Sequence, residues 1–138
     1  MSGLKDIGVK VVDSLGAANA HAVLREIESL LEQLVATGES GVIDLKGLPM
    51  SPADFEVLAR VLGSGEVSAT IDAGGESSVR ETAFHGVWWI THRNEEGNVA
   101  AEFIEVTRVP EILASQPEDM EGGLMRLRGA LAASWGMS

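Results

Sequence analysis

Between Val23 and Val35 the apolar residues Val23, Leu24, Ile27, Leu30, Leu31, Leu34 and Val35 recur at three- and four-residue intervals, while Arg25, Glu26, Glu28, Ser29, Glu32 and Gln33 fill the positions between them. That spacing is one face of an α-helix. Asn19 is placed to cap its start and Thr37-Gly38 to end it. Gly41 to Leu45 reads as a short buried strand, and Lys46-Gly47-Leu48-Pro49 turns the chain. Ser51-Pro52-Ala53-Asp54 then opens a second helix with a serine cap and a proline at the first helical position, where the missing N–H costs nothing. Phe55, Leu58, Ala59 and Leu62 make its apolar stripe, and Gly63 ends it.

From Glu66 the period changes from 3.6 to 2: Val67, Ala69 and Ile71 alternate with Ser68, Thr70 and Asp72. Three more strands are predicted near 78–84, 86–93 and 98–106, with Asn94-Glu95-Glu96-Gly97 as a hairpin loop. Pro110 and Pro117 bracket a helical turn, and a last helix is predicted to about Ala133, with Met120, Leu124, Leu127 and Leu131 as its stripe. The expected fold is α+β: a mixed, mostly antiparallel sheet of about five strands with helices packed on one face. The strand at Gly41 and the strand after Glu66, joined by a helix, are expected to pair in parallel. Residues 1–18 read as a lead-in or linker, and 19–138 as a single domain.

Composition narrows the chemistry. The formal charge is −11 and there is no cysteine. The negative field disfavours nucleic acid and anionic membranes and favours a basic partner. Without thiols there are no disulfides, no thiolate metal ligands and no cysteine nucleophile. No stretch approaches the roughly 20 apolar residues of a membrane helix, and Asp6 interrupts the N-terminal pattern of a signal peptide. The chain is expected to stay in the cytoplasm without inserting into a membrane.

The side chains show no catalytic signature. His85 and His92 lie about 23 Å apart along one strand, at about 3.3 Å per residue, on opposite faces, so no metal site and no cofactor are expected. Gly63-Ser64-Gly65-Glu66 follows a helix and precedes a strand, the reverse of a dinucleotide-binding turn. A four-residue hairpin loop would set Trp89 opposite Glu102, Val87 opposite Ile104 and Trp88 opposite Phe103. In that register Trp88, Ile90, Val99, Ala101 and Phe103 form the more apolar face, expected to meet the helices. Trp89, Thr91, Glu102 and Ile104 form the other, where the Trp89 indole is expected to lie exposed beside Glu102 as a partner contact.

Several short motifs carry a family resemblance: Ile43-Asp44-Leu45 with Leu48-Pro49, Gly65-Glu66-Val67-Ser68-Ala69, Glu81 with Phe84 and Gly86-Val87-Trp88, Ile104-Glu105-Val106, and Pro110. In this order and spacing, from about Asn19 to Ala133, the chain resembles the C-terminal domain of the HupH/HyaF hydrogenase expression/formation proteins. The resemblance implies a non-enzymatic, chaperone-like accessory factor in the maturation of a membrane-bound uptake [NiFe] hydrogenase. It implies binding of the immature small subunit precursor, with room for another accessory factor, and a longer N-terminal region in other members. It brings no catalytic residues. The motif positions Glu66, Glu81, Phe84, Gly86, Trp88 and Glu105 become candidate partner contacts beside Trp89 and Glu102. Two other readings stay open: a maturation enzyme with an unrecognised acidic or histidine site, and a homodimeric interaction module whose seam is the Trp89 face.

Overall fold

A computed structural model describes residues 17–135 apart from Ala73. The lead-in expected at the N-terminus lies outside the described residues up to Gly16. The chain divides into two compact units, Met1–Arg108 and Val109–Ser138. The first holds helix α1 (Ala18–Thr37), strand β1 (Gly41–Asp44), helix α2 (Pro52–Leu62) and strands β2 (Ser68–Asp72), β3 (Glu76–Glu81), β4 (Val87–Arg93) and β5 (Val99–Val106). The second holds a single 3-10 turn, Glu111–Leu113, and helix α3 (Pro117–Trp135). On α3 the expected stripe Met120, Leu124, Leu127 and Leu131 remains exposed.

The fold is α+β, as expected, with five strands in the order β1-β5-β4-β3-β2. Every pairing is antiparallel. The parallel pair expected from the helix-linked strands does not form, because β1 and β2 lie at opposite edges. The physical reason is the partner available to each. β1 sets Ile43 against Ile104 of β5, which extends one apolar patch, whereas β2 follows naturally into a hairpin with β3.

The last hairpin closes more tightly than a four-residue loop. The Asn94 N–H donates to the Asn98 carbonyl at 2.9 Å, and Gly97 turns the chain at φ 89°. A register shift between His92 and Arg93 adds a second displacement. Trp89 therefore faces Ile104, not Glu102, and Trp88 faces Glu105, not Phe103. A displacement of two residues preserves the faces, so Trp89, Thr91, Glu102 and Ile104 do share one side.

That side is the one the helices cover. Val23, Ile27 and Leu34 of α1 and Leu58 and Leu62 of α2 pack with Ile43, Leu45, Val87, Trp89, Ile104 and Val106 in one buried cluster. The exposed indole expected at Trp89 is thus corrected: its residue is 5% exposed. The apolar patch that decides the matter runs through β1 and the end of β5, beyond the hairpin considered alone. Trp88, Ile90 and Val79, on the opposite face, are buried as well, so β4 is enclosed on both sides.

The two helices begin at one carboxylate. α1 starts at Ala18 after Ala17, which offers no side-chain cap; Asn19, expected as the cap, instead donates its Nδ2–H to the Pro49 carbonyl at 2.7 Å. The missing acceptor comes from α2. Asp54 Oδ1 accepts the Ala20 N–H at 3.1 Å, and Asp54 Oδ2 accepts the Ser51 N–H at 2.8 Å. The Ser51 hydroxyl accepts the Asp54 N–H at 3.1 Å and completes a capping box. Asp54 is 2% exposed. Burial pushes its carboxyl up, but hydrogen bonds from the Ser51 and Ala20 amides, the Ser51 hydroxyl and Asn19 outweigh it and hold the carboxyl below its ordinary range.

Candidate functional site

The connection between β3 and β4, residues 82–86, gathers the motif positions at one end of the sheet. Glu81 closes β3 and faces Trp88, the second residue of β4, which faces Glu105 near the end of β5. The three form one rung on the sheet face away from α1 and α2. Trp88 is buried and donates its indole N–H to the Thr107 carbonyl at 3.1 Å. Glu105 is half-buried.

Glu81 fastens the segment that precedes β2. Its Oε1 accepts the Glu66 N–H at 3.2 Å, its carbonyl accepts the Gly65 N–H at 2.8 Å, and its own N–H donates to the Val67 carbonyl at 2.8 Å. Oε2 lies 3.2 Å from His85 Nδ1, on a ring that is 87% exposed. The hydrogen bond from His85 holds the Glu81 carboxyl below its ordinary range, burial opposes it, and the Glu66 amide assists. Gly65 fits only because it has no side chain. A Cβ there would run into the Thr82 carbonyl oxygen and stand 2.7 Å from Glu81 Oε1. Gly65→Ala should therefore destabilise the domain by about 1–3 kcal/mol. A urea titration checks this, and an unchanged midpoint contradicts it.

The turn that follows brings Phe84 to the surface. The Thr82 hydroxyl accepts the Phe84 N–H at 3.2 Å, and the Phe84 carbonyl accepts the Val87 N–H at 3.1 Å. The backbone is fixed while the residue stays 47% exposed. Gly86 takes φ +92° and lies so close to α1 that a Cβ would stand 3.3 Å from Leu31 and 3.4 Å from Leu34. This close approach seats the turn against the helix and aims Phe84 over a groove.

The groove has a volume of about 560 Å³. Leu24, Ile27, Leu31 and Val35 of α1 form one wall, Val61 and Leu62 of α2 another, and Val87 and Phe84 complete the lining with Glu28, Glu32 and Ala36. Val35, which the helical stripe places in the core, is 82% exposed here. Sequence reading named Phe84 but missed Val35 and Val61 as surface residues, whereas Leu24 and Leu31 are half-buried against the core as the stripe predicts. The signal available was the width of the α1 stripe, seven apolar residues where a narrower band would cover the sheet.

Two other candidates, Trp89 and Glu102, are hydrogen-bonded to each other. Trp89 donates its indole N–H to Glu102 Oε2 at 2.8 Å, Thr91 donates to the same oxygen at 3.2 Å, and the Arg80 guanidinium stands 5.6 Å over the ring. Glu102 and Glu81 lie on opposite faces of the sheet, so they do not form an acid/base pair. His92 contacts Ser77 Oγ at 2.6 Å through Nδ1 and packs near Phe103. Among the described residues no group of three or more His, Asp or Glu could hold a metal ion, and no helix is long and apolar enough to cross a membrane.

Comparison with known proteins places these features. Residues 17–134 match the family model described as HupH hydrogenase expression protein, C-terminal conserved region. The chain is 31% identical over 126 residues to the hydrogenase expression/formation protein HoxQ of Azotobacter vinelandii, covering 91% of this chain and 41% of that one. It is also 31% identical over 118 residues to the hydrogenase expression/formation protein HupH of Rhodobacter capsulatus, covering 86% of this chain and 42% of that one. The chain thus spans about two-fifths of the length of these curated relatives. The solved structure of hydrogenase expression protein HupH from Thiobacillus denitrificans is 47% identical, with a TM-score of 0.80 over 83% of this chain and 96% of that one.

Proposed function

The chain belongs to the HupH family of hydrogenase expression proteins, through their C-terminal conserved region, and from that membership we propose that it serves hydrogenase maturation as a non-catalytic accessory factor that holds the immature small subunit in the cytoplasm. The relatives are named for expression and formation of a hydrogenase, and holding an unfinished subunit needs an accessible apolar surface without reactive groups. The observation that carries the reading is Phe84, a motif residue held half-exposed at the mouth of an apolar groove by a rigid turn. Contiguous exposed apolar surface on a folded domain marks an interaction site. The rung of Glu81, Trp88 and Glu105 and the glycine at position 86 support the turn from behind. Trp89, enclosed beneath the helices, serves the same end only by packing.

Capture of the small-subunit precursor tests this. The immobilised protein should retain the precursor at low salt, and Phe84→Ala should lower the affinity about tenfold, as expected for an aromatic anchor. Folded wild-type protein that retains no precursor would overturn the reading.

A further inference from the structure

From the chemistry of the groove we infer that its occupant is an apolar, helix-forming segment of the partner with basic residues along one edge. The inference rests on the accessory role and adds what that surface selects.

The shape comes first. Leu24 and Ala36 bound the stretch of α1 that lines the groove, about 18 Å at about 1.5 Å per residue. A furrow between two helices, floored by a strand, accepts a third helix in the helix-in-groove manner. About 12 helical residues, or three turns, would fill its length.

Charge fixes the second property. The charged side chains that line the groove are Glu28 and Glu32, one turn apart on α1 and both exposed. The C-terminal end of α1 adds the negative pole of its dipole beside Val35 and Ala36, and no basic residue occupies its last turn. An apolar segment edged with arginine or lysine would bury its apolar face and place cations against these carboxylates. An acidic segment would meet like charges in a partly dehydrated site. The same reasoning disfavours a second copy, because each copy carries a formal charge of −11.

The test uses the intact protein and a dye-labelled peptide of about 12 residues, leucine and alanine on one face with arginines along its edge. Fluorescence anisotropy should show binding that weakens as salt rises to about 0.5 M, where screening shortens to a few ångström. The double variant Glu28→Gln, Glu32→Gln should weaken it about three- to tenfold, and Phe84→Ala about tenfold or more. The same peptide with glutamate in place of arginine should bind at least about tenfold more weakly. Equal binding of the two peptides, or no binding of either, overturns the inference. So does a concentration-dependent dimer in sedimentation that Phe84→Ala abolishes, because the groove would then be a self-contact. If the precursor is captured while the arginine peptide is not bound, the groove's preference falls and the accessory role stands. If the peptide binds and the precursor is not captured, the preference stands and the accessory role falls.

Discussion

Replacing Trp89 with alanine is expected to remove about 3–5 kcal/mol of folding stability, the usual cost of truncating a large buried aromatic. Trp89 lies in the cluster between the sheet and both helices of the first unit, opposite Ile104. Truncation would open a cavity beneath α1 and α2 and strip the Glu102 carboxylate of its 2.8 Å donor. Domains of this size are stable by about 5–15 kcal/mol, so the variant should sit close to unfolding. Trp89→Phe keeps most of the apolar volume, loses the indole N–H, and should cost only about 1–2 kcal/mol. Urea denaturation followed by far-ultraviolet circular dichroism separates the two. An alanine variant within about 1 kcal/mol of the wild type would show that this ring is not a core residue.

Asp54→Ala ranks next, at about 2–4 kcal/mol. One carboxylate receives amides from the starts of two helices. Losing a cap typically costs about 1 kcal/mol, and buried amides left without acceptors add about 1–3 kcal/mol. Asp54→Asn is the sharper probe, because its carbonyl can accept one amide while its own NH₂ confronts the other. The acid response follows from the same geometry. The Asp54 carboxyl is held below its ordinary range when folded, so the unfolded chain takes up the proton first. Its stabilisation is complete above the unfolded carboxyl's titration range and is lost as pH falls through the folded value. Glu81 acts in the same direction, through the His85 hydrogen bond first. Stability should therefore decline below about pH 5, and the decline should be shallower in Asp54→Asn. An identical acid limb in variant and wild type would contradict the shared-cap account.

Much of this architecture is legible in local patterns. The α1 stripe and its glycine stop appear where the 3.6-residue spacing puts them, and β2, β4 and β5 lie close to where they are expected, because each signal is carried by neighbours in the chain; β3 runs Glu76–Glu81 instead of 78–84, because the Thr82 hydroxyl accepts the Phe84 N–H and turns the chain there. The capping box at Ser51 is half legible: the serine and proline announce a helix start, but that Asp54 also receives an amide from α1 depends on a residue 34 positions away. The hairpin register fails for a specific reason. Asn94 pairs with Asn98 and a second displacement follows at His92, and no four-residue window displays either.

The choice of sheet face is less legible still. Both sides of β4 carry a tryptophan and another apolar residue, and what decides between them is the arrival of Ile43 of β1 and of Leu45 just after it. The groove escaped notice because periodicity marks an apolar stripe without saying how much of it the sheet covers. Val35 belongs to the stripe and yet faces solvent. Phe84 was found through a motif; its neighbours on α1 were read as core.

The sheet order has a bearing on synthesis. β1 is hydrogen-bonded to β5 alone, at the edge of the sheet, and the cluster under α1 and α2 is completed by Val87 and Trp89 of β4 and Ile104 and Val106 of β5. A ribosome delivers α1, β1 and α2 before β5, so the apolar faces of the two helices emerge before the sheet that covers them is complete. Closure waits until Val106 has cleared the exit tunnel, and the nascent chain must be kept from aggregating in the meantime.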